Sequence, residues 1–351
     1  MSNQETIVLT GDRPTGRLHL GHFVGSIGNR IKLQDQASKS FYMIADIQGL
    51  TDNANNPQKI RDNVLEVVLD NLACGVDPKK TTMFIQSEVP QIAELTVLFM
   101  NLVTLQQLSH NPTIKTEAKE KGFNLNSRLE ENESEDSIEK GIPMGFLNYP
   151  ISQAADILFC CANTVPVGID QMPVIEQAND IVKKFNSIYN VNIFPKINGV
   201  VGDTPRLVGV DGNAKMSKSL NNAIYLSDSY EEIKDKVMSM YTDPNHIHVD
   251  DPGRVEGNVV FTYLDIFDEN KEEIEKLKQD YKKGGLGDVV IKKRLIEVLE
   301  NIISPIRNKR QELEKDKDAV MRILEDGTKQ ARIHAEKTML QVREALKINY
   351  F

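Results

Sequence analysis

Two segments of this chain carry the residue types that do phosphate chemistry. The first, Pro14-Thr15-Gly16-Arg17-Leu18-His19-Leu20-Gly21-His22, follows the apolar run Ile7-Val8-Leu9-Thr10. The second, far downstream, is Lys215-Met216-Ser217-Lys218-Ser219. Leu20, Phe23, Val24, Ile27 and Ile31 recur at helical spacing, so a helix is expected to start near His19. Helix N-termini present unpaired N–H groups and partial positive charge, which favour bound phosphate. His19 and His22 share one face of that helix and can donate hydrogen bonds to oxygens whose charge grows as a phosphate is displaced. The lysines and hydroxyls of the second segment, after the flexible Asp211-Gly212-Asn213-Ala214, suit a loop that closes on phosphates. Together they offer what attack at the α-phosphorus of ATP needs: donors for the growing charge and a clamp for departing pyrophosphate.

His-x-x-His alone would be a weak signal. A zinc site would want a third ligand and an acid, and nothing near in sequence supplies them, so no metal-ligand set is expected. Inside Pro-Thr-Gly-x-Leu-His-x-Gly-His, straight after a strand, the pair is specific. Gly21 would let a flat base lie against the helix backbone. Gly25 and Gly28, each costing about 1 kcal/mol relative to alanine in a helix interior, are expected to pack closely on a sheet.

The elements that must position these residues alternate in the first half, the mark of a parallel α/β sheet. Ile7 to Thr10, Phe41 to Ala45, Met83 to Ile85 and Thr164 to Gly168 read as strands. Asn56 caps a helix with Pro57 at its first position, Ile60, Val64, Val67, Val68 and Leu72 form its buried stripe, and Gly75 ends it. The stretch 91–109 reads as one helix, and another is expected over 152–160. Residues 124–139 carry few apolar side chains and an acidic run, which reads as an exposed excursion. From about residue 227 the pattern is almost all helical, interrupted by Gly284, Gly285 and Gly287.

A length of 351 residues allows two domains. No apolar run reaches the roughly 20 residues of a membrane span, and the start lacks a signal-peptide core; with three cysteines and no Cys-x-x-Cys pair, a reducing cytoplasm is the expected setting. The net charge of −9 argues against nonspecific coating of nucleic acid. It leaves room for a local basic patch, and Lys329, Arg332, Lys337, Arg343 and Lys347 are the candidates, with a solvated helix face as the favoured reading.

The two motifs in this order resemble the signatures of class I aminoacyl-tRNA synthetases. Tyr149-Pro150-Ile151-Ser152-Gln153-Ala154-Ala155-Asp156-Ile157-Leu158 and Val165-Pro166-Val167-Gly168-Ile169-Asp170-Gln171 are similar to pocket segments of bacterial tryptophanyl-tRNA synthetases, as are Met238 to Pro244 and Gly284 to Asp288 to later segments. The resemblance implies a Rossmann-like catalytic domain over 1–222, with a helical, dimer-forming insertion around 90–162. It implies a mainly helical anticodon-binding domain over 223–351, whose last helices pack back on the first. It implies a homodimer with ATP and Mg2+ as co-substrate, and L-tryptophan and tRNA(Trp) as partners. By resemblance His19, His22, Lys215 and Lys218 are catalytic. Arg13, Thr15, Gly21, Gly168, Asp170, Ser217 and Ser219 meet the nucleotide, and Leu9, Tyr149, Gln153, Asp156, Ile157, Val165, Val167 and Gln171 meet the amino acid.

Which amino acid is a separate matter. An aspartate at a pocket base accepts a hydrogen bond from an indole N–H or a phenol O–H, so tyrosine stays open. Ala154 and Ala155 beside Asp156, expected to leave room for a bicyclic ring, and Val165 and Val167 as apolar walls, favour tryptophan. Ile47, Met172 and Arg13 depart from residues common in relatives, and Ile47 is expected in the core. A nucleotidyltransferase acting on a small metabolite and a non-charging duplicate that senses amino acid are the readings from other classes.

Overall fold

A computed structural model of the chain describes residues 5–125, 141–202, 207–212, 216–217 and 220–351. Lys215, Lys218, Ser219 and nearly all of the acidic excursion lie outside the described residues.

Among the described residues, five strands form one parallel sheet: β1 (Ile7–Asp12), β2 (Lys39–Ile44), β3 (Thr81–Ile85), β4 (Thr164–Val167) and β5 (Asn198–Val201), in the order β3-β2-β1-β4-β5. Leu9 lies opposite Phe41, and Val8 opposite Thr164. Along β2 the side chains alternate between two cores. Tyr42 and Ile44 pack with the helix Pro57–Cys74 and the C-terminal helices, whereas Phe41 and Met43 pack with the helices Gln91–Met100 and Met144–Leu158. Both faces are covered, which is why β2 is buried from Ser40 to Ile44 without a polar face. The strand order reverses between β1 and β4. Open parallel sheets bind ligands beyond the carboxyl ends of the strands at such a point, so the loops after Asp12 and Val167 are placed to make a site.

The helix after β1 begins with Leu20–His22, passes through a π-helical turn at Phe23–Ile27 and continues as Gly28–Gln36. Gly25 and Gly28 do not pack on the sheet as expected. A Cβ at Gly25 would meet nothing within 4 Å, and one at Gly28 would meet only the Phe23 carbonyl of the same helix at 3.5 Å. The helix Pro57–Cys74 has its Asn56 cap, whose side chain accepts the Lys59 N–H, and ends at Gly75 with φ +109°.

Two helices differ from their sequence pattern. The stretch 91–109 divides into Gln91–Met100 and Leu105–His110, because Thr104 starts a new helix through a reciprocal cap with Gln107. The helix expected over 152–160 starts earlier, at Met144, and runs through Pro150 to Leu158. A proline costs a helix one hydrogen bond, but burial of Phe146, Leu147 and Ile151 outweighs it. Tyr149 therefore sits inside the helix. Ile47, expected in the core, is 44% exposed.

The closing helix, Lys317–Ala345, lies along the edge strand β3. Thr328 Oγ1 accepts the Ile85 N–H at 3.3 Å, satisfying a donor of the sheet edge. Contact this close requires Gly327, where a Cβ would lie 1.9 Å from the Met83 carbonyl oxygen. Gly327→Ala should therefore lose about 2 kcal/mol of stability, as overpacked sites do, read as a lower urea midpoint. An unchanged midpoint would show that the helix shifts off the sheet freely. On this helix Arg332 pairs with Glu88, Arg343 with Glu94 (each at 2.6 Å) and Lys329 with Glu325 at 2.8 Å. The basic residues proposed as a patch are thus largely matched by acids, in keeping with a solvated helix face.

Candidate functional site

His19 caps the first helix from an extended backbone conformation. Its Nδ1 accepts the Gly21 N–H at 3.1 Å, and His22 Nδ1 accepts the His19 N–H at 3.3 Å. With Nδ1 accepting in both, the proton of each ring in its neutral form sits on Nε2. The ring centroids are 3.9 Å apart. Backbone hydrogen bonds thus orient both rings and bring them together. Beneath them, Arg30 Nη1 donates to Asp12 Oδ2 at 2.9 Å and also pairs with Asn71, and Tyr42 donates to the same Asp12 oxygen at 2.8 Å. Burial alone would raise the Asp12 pKa, but the Arg30 charge and hydrogen bond hold the carboxyl well below the usual carboxylate range, helped by His22 and Tyr42.

The second motif is brought to the first by a short antiparallel contact. Leu20 N–H donates to the Ile224 carbonyl at 2.9 Å, and Leu226 N–H to the Leu18 carbonyl at 3.0 Å, with His19 opposite Tyr225. Met216 is buried, and its Sδ lies 3.7 Å from where a Cβ on Gly21 would stand. Ser217 N–H is held by Asn222 Oδ1 at 2.8 Å. Of the phosphate-loop residues singled out in the sequence, Ser217 is the one that the structure describes.

Beyond the ends of β1 and β4 lies a cavity of about 470 Å3, within the roughly 300–1,000 Å3 range of small-molecule pockets. Leu9, Arg13, Thr15, His22, Tyr149, Gln153, Asp156, Ile157, Val165, Val167, Gly168 and Gln171 line it, all named from the sequence. His19, Gly21, Asp170 and Ser217 do not line it. Asp170 is exposed beside it, accepting from Gln171 Nε2 at 3.1 Å. A Cβ at Gly168 would come within 2.6 Å of Asp170 Oδ1, so a larger residue there would displace the exposed Asp170 side chain. Ala154 and Ala155 do not widen the cavity, as expected of them; both are fully buried in the core behind it.

Asp156 forms the floor. It is buried, and its two oxygens accept from Gln48 Nε2 at 2.6 Å and Gln86 Nε2 at 2.7 Å. Gln86 in turn accepts the Gln48 N–H at 3.2 Å, so the three side chains form one fixed cluster. Burial, seconded by the charge of Asp46, pushes the Asp156 carboxyl up to about 7 against the two glutamine hydrogen bonds. At the mouth, Asp52 accepts from Arg13 at 3.0 Å and pairs with Lys121. Partial burial opposes these cations, yet they hold Asp52 below its usual range. Nearby, burial raises both Glu117 and Tyr149, which face each other.

The family model for class I tRNA synthetases (W and Y) matches residues 1–304. The chain belongs to this family. It is 54% identical to the tryptophan–tRNA ligase of Clostridium longisporum over 348 residues, covering 98% of each chain. It is 50% identical to the tryptophan–tRNA ligase of Streptococcus agalactiae over 351 residues, again covering 98% of each. Among solved structures, the tryptophanyl-tRNA synthetase of Campylobacter jejuni complexed with ADP and tryptophan superposes with a TM-score of 0.81. The two are 29% identical, and the match covers 97% of this chain and 100% of that one.

Sequence reasoning within this family missed Gln48 and Gln86, and the group of Asp12, Arg30, Tyr42 and Asn71. One signal was available. Asp12 ends β1 and Gln86 directly follows β3, and side chains at the carboxyl ends of parallel strands are the first candidates for a ligand site. Gln48 carried no such signal, because only the fold turns it toward Asp156.

Proposed function

We propose that this chain is a tryptophan–tRNA ligase that activates L-tryptophan with ATP and then charges tRNA(Trp). The floor of the cavity carries the choice of a donor-bearing side chain over phenylalanine, and the relatives carry the choice of tryptophan over tyrosine. A buried carboxylate with two fixed glutamine donors stands below the apolar walls Leu9, Val165 and Val167. It accepts the indole N–H, and phenylalanine would leave it unpaired at a cost of a few kcal/mol. The names of relatives at 50–54% identity over the whole chain support the same reading.

Tyr149, Gln153 and Gln171 hold the ammonium end at the cavity mouth, with Ile157 on the wall. The substrate carboxylate attacks the α-phosphorus of ATP, the bond to the β-phosphate oxygen breaks, and pyrophosphate leaves. His19 and His22 donate to the oxygens on which charge grows, and Thr15, Ser217, Ser219, Lys215 and Lys218 hold the phosphates. Arg13, Gly21, Gly168 and Asp170 meet the nucleotide. Mg2+ enters as the counter-ion of ATP, part of the substrate. The terminal hydroxyl of the tRNA then displaces AMP from the adenylate.

Residues 1–222 act as the catalytic domain and 223–351 as the region that reads the anticodon. The exposed Val97, Met100, Leu105 and Met144, on the segment 90–162, support a homodimer, and a cytoplasmic setting fits the chemistry. Among the described residues no helix is long and apolar enough to cross a membrane.

Pyrophosphate exchange run separately with each amino acid tests the reading. Exchange is expected with tryptophan and at background with tyrosine and phenylalanine. Exchange with tyrosine alone would overturn the choice of substrate, and exchange with neither would favour a non-charging duplicate.

A further inference from the structure

The backbone that leads into His19 is tied to a buried ion cluster that reaches the C-terminal helices. Asp70, on the helix Pro57–Cys74, is fully buried. One of its oxygens accepts the Leu18 N–H at 2.6 Å, and the other accepts from Arg310 Nη1 at 3.1 Å. Arg310, on the helix Asp288–Leu313, is 4% exposed and also pairs with Glu66 at 2.5 Å and Glu314 at 3.1 Å.

Burying these charges is costly, and well-packed apolar residues would stabilise the same helix contact as well or better. What an apolar pair cannot do is hold a backbone N–H at a fixed place. Leu18 is gripped from both sides, its N–H by Asp70 and its carbonyl by Leu226 N–H at 3.0 Å. The next residue is His19, whose ring direction depends on that backbone because its Nδ1 is committed to Gly21 N–H. We propose that Asp70, backed by Arg310, is a positioning residue for His19 and sets where its Nε2 proton points.

The inference rests on the proposed role of His19 and deepens it. A donor held to within about half an ångström differs greatly in rate from one that wanders by an ångström, a displacement that can cost about 100-fold. Asp70→Asn keeps an acceptor for Leu18 but removes the charge that fixes it, while Glu66 and Glu314 still neutralise Arg310.

The test is tryptophan-dependent pyrophosphate exchange by the full chain, in wild type, Asp70→Asn, His19→Ala and the double variant. Asp70→Asn should lower kcat roughly 30-fold, with KM for ATP and tryptophan within about twofold. In the His19→Ala background the same change should cost less than about threefold, because the group being positioned is gone. Equal losses in both backgrounds, or a loss carried by KM, would make Asp70 merely structural and overturn the inference alone. A fully active His19→Ala would overturn the inference together with the role of His19. Should Asp70→Asn not fold, Arg310→Lys is read by the same criteria, since it keeps the cation but changes its geometry.

Discussion

His19→Ala should lower kcat for adenylate formation about 100-fold or more while ATP binding weakens only a few-fold. Removing one well-aimed donor to growing negative charge raises a barrier by about 3 kcal/mol, and each 1.36 kcal/mol is about tenfold in rate. The geometry supports a transition-state role because the Nε2 donor is oriented in advance. Gly21 N–H occupies Nδ1, and the ring lies 3.9 Å from that of His22. The substitution also removes a helix cap, worth about 1 kcal/mol of stability. His19→Asn separates the two effects, since asparagine caps but does not reproduce the imidazole donor. It should recover the melting temperature and not the rate. Equal falls in kcat and in ATP affinity would rule out a role confined to the transition state.

Asp156→Ala should raise KM for tryptophan by about 100-fold and leave KM for ATP near its wild-type value, as expected from a few kcal/mol for a buried partner lost. The alanine also strands the amides of Gln48 and Gln86, so part of the loss is structural. Gln48→Leu isolates the orientation of the carboxylate and should cost about tenfold in KM, close to the worth of one hydrogen bond to a charged group. Unchanged discrimination between tryptophan and phenylalanine in either variant would show that the floor of the pocket lies elsewhere.

The pH dependence follows from the same group. The folded carboxyl titrates near 7 against an ordinary value of 3.8, so it is neutral when the pH falls below about 7. A protonated carboxyl accepts the indole N–H less well, so KM for tryptophan should rise as the pH falls through that range and be flat in Asp156→Asn. For stability the direction is opposite to that of a paired aspartate. The unfolded chain ionises first as the pH rises from about 4 to 7, so Asp156 costs the folded state most at and above the upper end. Asp156→Asn should therefore gain in relative stability across that interval, measured by urea midpoints at several pH values.

Four of the five strands and the helix Pro57–Cys74 were legible because their signals are local: short apolar runs, an asparagine cap, a proline at the first turn, a left-handed glycine at the end. The start of Met144–Leu158 was not, since Pro150 reads locally as a boundary and only burial on the far side of the sheet carries the helix through it. Likewise Ile47 looked apolar enough for the core, whereas the fold leaves it at the surface and turns its neighbour Gln48 onto Asp156.

By itself the sequence determined the chemistry at the phosphate end. The spacing of the apolar residues locates the helix start at His19, and the cap hydrogen bonds of His19 and His22 then bring the two rings together. The cavity-lining residues follow from the resemblance of whole segments to a known family, not from local periodicity. The tertiary structure alone decided how those groups are held. Gln86 and Gln48 lie 70 and 108 residues from Asp156, and Arg310 lies 240 from Asp70. Local periodicity says nothing at such separations. Each of these contacts exists only because close packing of the sheet and its helices leaves a buried charge that must find a partner.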